Sequence, residues 1–114
     1  MTVTGSAAQR AWIHRLTNAI NTASDSYAHG DPMGAIRTAD SLRLTCESVL
    51  DTLGQDDTQA QFLMVCVADL YGRLRQWKAS QGDQEGVAQL TKDYASLVRR
   101  MHDRESAAAS PDVP

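Results

Sequence analysis

The sequence predicts an all-α protein folded as a single antiparallel up-down four-helix bundle. Three observations carry that expectation. Apolar residues recur at three- and four-residue intervals through four segments, the spacing that gathers side chains on one face of a helix. No stretch of useful length alternates with the period of two that a half-buried strand needs. Short links containing glycine and aspartate separate the segments, and short links force neighbouring helices antiparallel.

Helix one is expected over about residues 8–28, with Ile13, Leu16, Ile20, Ala23 and Tyr27 as its stripe and Trp12 and Ala19 beside it. The link "HGDP" follows at 29–32. Gly30 suits the left-handed residue that ends a helix, Asp31 suits the N-cap of the next, and Pro32 falls at the first helical position, where its missing N–H costs nothing. Helix two is expected over about 32–53, with the stripe Ala35, Ala39, Leu42, Cys46, Val49 and Leu53. "GQDDT" at 54–58 supplies a stop glycine and several caps. Helix three, about 58–79, carries Leu63, Val67, Leu70, Leu74 and Trp77. "QGDQ" at 81–84 repeats the Gly-Asp device before helix four, about 84–103, whose stripe is Val87, Leu90, Tyr94, Leu97 and Met101. Residues 1–7 and the tail 105–114 lack such periodicity and read as flexible.

Composition narrows the function. The chain has 114 residues and a formal net charge of −3, with no block of like charge. That argues against nucleic-acid binding, which needs a basic stripe to neutralise phosphates. No run approaches the roughly 18 apolar residues of a membrane span. The opening "MTVTGSAAQRAW" lacks the layout of a secretory signal, so a cytoplasmic location is expected. In a reducing compartment Cys46 and Cys66, both inside apolar helical segments, behave as small core residues.

The residues offer little chemistry. His14, His29 and His102 have no second ligand-type neighbour in a stripe, and neither clustered Cys/His spacing nor the paired Glu-x-x-His motifs of a di-iron bundle occur. No metal or cofactor is expected. Arg37, Arg43, Arg73, Arg75, Arg99 and Arg100 fall off the stripes and read as a solvated face. A histidine phosphotransfer module would rest on His14 alone, without a lysine placed to hold the phosphoryl group. The chain reads as a non-enzyme.

One feature exceeds what a bundle requires. In "FLMVCVADLYGRLRQW", residues 62–77, removing the stripe leaves Phe62 and Cys66 on one flank and Met64, Ala68 and Tyr71 on the other. A wide apolar face touching both neighbours would use them as core. A groove between helices two and three would use them to receive an amphipathic helix. Met33, Ile36, Leu44 and Leu50 form a smaller surplus on helix two. The groove reading makes Ile36, Leu44, Met64, Ala68 and Tyr71 the binding residues.

In order and spacing, "AHGD" at 28–31, "ESVLDTL" at 47–53, "ADLYGRL" at 68–74 and the closing "GDQEGVAQLTKDYASLVRRM" make the chain resemble flagellar secretion chaperones of the FliS type. Helix one, "IHRLTNAINTA", departs from that family's Leu-Tyr-Asp-Gly-like start. The resemblance implies a cytosolic chaperone that binds an export substrate, with flagellin as the favoured client, and it favours Tyr71 as a client contact. The alternatives are another secretion-associated helical chaperone, of the FliT or FlgN type, and a structural bundle that self-associates as a homodimer with helix three buried.

Overall fold

In a computed structural model the chain forms four helices: α1 (Thr2–Ala28), α2 (Pro32–Leu50), α3 (Thr58–Ser80) and α4 (Gln84–Ala109). The structure describes residues 2–52 and 58–109, and side-chain surroundings for 11, 13–52 and 59–103. The expected stop at 54–57, the stripe position Leu53 and the surroundings of Trp12 lie outside the described residues. Each helix packs on its neighbour in sequence, which makes an all-α four-helix bundle. The molecule is flattened, with principal extents of 55 × 34 × 14 Å, so α2 and α3 form the central pair and α1 and α4 the outer one. α1 begins at Thr2 and α4 runs to Ala109, so both outer helices continue into the segments whose weak periodicity read as flexible.

The two Gly-Asp links build the same turn twice. Asp31 N donates to Ser26 O at 2.9 Å and Asp83 N to Lys78 O at 2.9 Å, each closing the six-residue ring of a helix-ending turn. Gly30 and Gly82 take φ of +97° and +79°, a backbone region that penalises any Cβ. The aspartate that ends each turn also caps the next helix: Gly34 N donates to Asp31 Oδ1 at 3.0 Å and Gly86 N to Asp83 Oδ1 at 2.9 Å. Both turns close the same end of the bundle, where Tyr27 and Trp77 stack with ring centroids 4.8 Å apart.

The core runs along α3. Leu63, Val67, Leu70 and Leu74 are fully buried, as their spacing requires, and Leu16, Ile20, Ala23, Leu90 and Leu97 meet them from the outer helices. On α2 the inward face is Ala35, Ile36, Ala39, Arg43, Cys46 and Leu50. Ala35, Ala39 and Cys46 of the expected stripe lie on it, but the face is rotated toward Ile36, Arg43 and Leu50, so Leu42 and Val49 are only partly buried at its margin.

Candidate functional site

Among the described residues Arg43 is the one buried charged side chain, which corrects the expectation that it joins a solvated face. The spacing 36, 39, 43, 46, 50 places it in the middle of the inward face of α2, where it reaches α3. Its Nη1 donates to Glu47 Oε2 at 2.7 Å and to the Tyr71 hydroxyl at 2.8 Å. Nη2 and Nε both donate to Asp40 Oδ1, at 2.8 and 3.0 Å. The Tyr71 hydroxyl in turn donates to Glu47 Oε2 at 2.8 Å. From α4, Arg100 approaches Glu47 Oε1 at 3.5 Å and Asp51 Oδ2 at 3.7 Å, while the Tyr94 ring lies 5.0 Å from that of Tyr71.

Burial of a cation is tolerated only when its donors are matched, and this cluster matches them. Burial works to lower the basicity of Arg43, but Asp40, Tyr71 and Glu47 outweigh it and raise its pKa. Burial raises the Tyr71 pKa and the Glu47 hydrogen bond adds to the rise, so the phenol stays protonated and able to donate. No buried side-chain nitrogen or oxygen among the described residues lacks a partner. The cluster ties α2, α3 and α4 together and, among the described residues, leaves no buried side-chain nitrogen or oxygen without a partner.

The five residues expected to bind a client do not share an exposed face. Tyr71 is fully buried and Ile36 is buried; both are corrected to core positions. Tyr71 turns inward because α4 covers that flank of α3 and Glu47 and Arg43 satisfy its hydroxyl. Met64 and Ala68 on the same flank are half-buried, and only Leu44 is open, at 54% exposure. The opposite flank, Phe62 and Cys66, faces α1, where Arg73 Nη1 also donates to Ser24 Oγ at 2.6 Å. The surplus on α3 therefore serves two neighbours, one on each flank.

The open apolar surface lies elsewhere. Met33 and Leu44 on α2, Val65 on α3 and Val98 on α4 are the exposed large apolar side chains among the described residues. Val65 stands between the two flanks and was not singled out by the stripe pattern. Shallow clefts run along both sides of α1. One, of about 210 Å³, is floored by Leu16, Ala19, Leu42, Cys46 and Val49, with Arg15 at its edge. The other, of about 280 Å³, lies against α3 and includes Ile20, Phe62, Val65 and Cys66.

The thiols of Cys46 and Cys66 are buried and unbonded to each other. Desolvation, with the neighbouring Cys66 and Glu47, pushes the Cys46 thiol up to about 11, and desolvation also raises Cys66. These are packing residues rather than nucleophiles. His14, His29 and His102 are exposed, and the His29 ring nitrogen Nδ1 lies 2.6 Å from Asp25 O. Among the described residues no group of three His, Cys, Asp or Glu side chains could hold a metal ion, and no helix is long and apolar enough to cross a membrane.

Fold and site define a small helical bundle with open apolar clefts and a saturated polar interior. Comparison with family models, curated proteins and solved structures finds no match for this chain.

Proposed function

We propose that this chain is a cytoplasmic export chaperone or adaptor that binds a secretion substrate, flagellin foremost, and keeps it from assembling. The observation that carries the proposal is the distribution of open apolar surface. Three of the four exposed large apolar side chains among the described residues, Met33, Leu44 and Val65, lie on α2 and α3. Each of these helices also walls an apolar cleft against α1. The resemblance of the ordered turn and helix segments to FliS-type chaperones supports the same reading.

The mechanism is sequestration. A disordered client segment folds as it lays an apolar face on the bundle, at a cost in ordering that lowers affinity per unit area but lets a small protein cover a long segment. The Arg43–Tyr71–Glu47 tie joins α2 to α3, and Arg100 joins α4 to Glu47, behind that surface. Nothing in this mechanism calls for catalysis. The homodimer alternative has less surface to work with: Val65 is the exposed large apolar side chain on α3 among the described residues, because α1 and α4 cover its flanks.

The test is titration of labelled monomeric flagellin, from the same source as the chain, followed by fluorescence anisotropy. Saturable one-to-one binding is expected. No binding to flagellin, with light scattering showing a tight dimer of the chain, overturns the proposal.

A further inference from the structure

We infer that the α1/α2 cleft is the seat of an amphipathic helix whose apolar stripe is flanked by acidic side chains. This inference rests on the chaperone reading, takes the cleft rather than the exposed Met33, Leu44 and Val65 as the seat, and adds the chemistry of its occupant.

The cleft continues along α2. Beyond the floor of Leu16, Ala19, Leu42, Cys46 and Val49, an adjoining open surface, lined by residues of α2 alone, shares Leu42 and Thr45 with it. That surface extends past Ser41 and Thr38 to Gly34. From Gly34 to Val49 the track is about 22 Å long at ~1.5 Å per helical residue, the length of a four-turn helix. The small side chains at 34, 38, 41 and 45 let a second helix axis come close, and interaxial distance is set by the side chains at the contact.

Charge selects the occupant. The lining carries two charged residues, Arg15 on α1 and Arg37 on α2, and no carboxylate. Both arginines are exposed, and neither makes an ion pair among the described residues. Arg43, Arg73 and Arg100 are paired with acids of their own chain, while Arg75 and Arg99, which also make no ion pair among the described residues, lie on α3 and α4 away from this lining. The carboxylates of α2, Asp40 and Glu47, are turned to Arg43 and Arg100 on the other side of that helix. A chain with a formal net charge of −3 thus keeps a track, apolar from Leu42 to Val49 and lined by Gly34, Thr38 and Ser41 toward its other end, whose two charged residues are both cations. Its complement is a helix with an apolar stripe and acidic edges, since matched charge at a rim governs choice of partner and rate of encounter.

The probes are two labelled peptides of about 16 residues with the same leucine stripe, one with glutamates and one with lysines along both edges. Low-salt anisotropy should show the glutamate peptide binding about tenfold more tightly than the lysine peptide, a difference of ~1.4 kcal/mol from a few rim pairs. The preference should fade with added salt and reverse in the Arg15→Glu/Arg37→Glu variant, whose exposed sites leave the fold intact by circular dichroism. Equal binding of the two peptides, binding of neither, or an unreversed preference overturns the inference. Flagellin titrated against the same variant separates the two readings. Undiminished flagellin binding refutes this seat and leaves the chaperone standing; peptide selectivity without any flagellin binding refutes flagellin as client and leaves the seat standing.

Discussion

The Tyr71 hydroxyl donates to Glu47 Oε2 at 2.8 Å, across the interface between α3 and α2, while accepting from Arg43 at the same distance. A phenol in that position is a structural tie. Tyr71→Ala opens a cavity in a fully buried site and should cost about 3–5 kcal/mol. Tyr71→Phe keeps the ring and should cost about 1 kcal/mol, because Arg43 and Arg100 still satisfy Glu47. Urea denaturation of the two variants checks the order.

Arg43→Ala removes the cation and leaves the partly buried Glu47 with the Tyr71 hydroxyl and Arg100 as its remaining partners. A broken buried pair costs about 3–5 kcal/mol. Arg100→Ala touches a half-exposed partner of the same carboxylate and should cost less than about 1 kcal/mol. Thermal melting of both variants should therefore show a large and a small decrease, and equal decreases would contradict the buried role of Arg43.

The duplicated turn predicts duplicated effects. Asp31→Ala and Asp83→Ala each remove one side-chain acceptor from the N–H of the residue three positions on and should each cost about 1 kcal/mol. The caps sit on different helices and share no partner, so the double variant should cost close to the sum. Chemical denaturation of the two single variants and the double variant tests this.

Alkali should weaken the fold. The Cys46 thiol is held at about 11 in the folded chain against an ordinary 9.0. Between those values the unfolded chain has released the proton and the folded chain has kept it, so stability falls as pH rises. The raised Tyr71 pKa extends the loss further up the scale. Denaturation midpoints followed upward from about pH 8 should decline beyond about pH 9, and Cys46→Ala should decline less steeply.

The stripes of α3 and α4 were legible because Leu63, Val67, Leu70 and Leu74 repeat every three or four residues and Leu90 and Leu97, two helical turns apart, share one face. On α2 two apolar series run side by side, 35-39-42-46-49 and 36-39-43-46-50, and the spacing does not favour the second because it contains an arginine. That arginine is the missed signal: a charged residue completing a 3,4,3,4 run, with acids three residues before it and four after, can be buried with its partners. The surplus on α3 was legible as a surplus, but its destination depended on which helices flank α3. Stripe spacing does not give that neighbour order. The grooves beside α1 were invisible for the same reason, since Leu42 and Val49 look like core until the face of α2 is known to be rotated.

The decisive measurement is flagellin polymerisation followed by light scattering, with and without an equimolar amount of this chain. Filament growth should stop at one chain per flagellin and resume when the chain is removed. Growth at an unchanged rate in a molar excess of the chain would contradict the chaperone proposal.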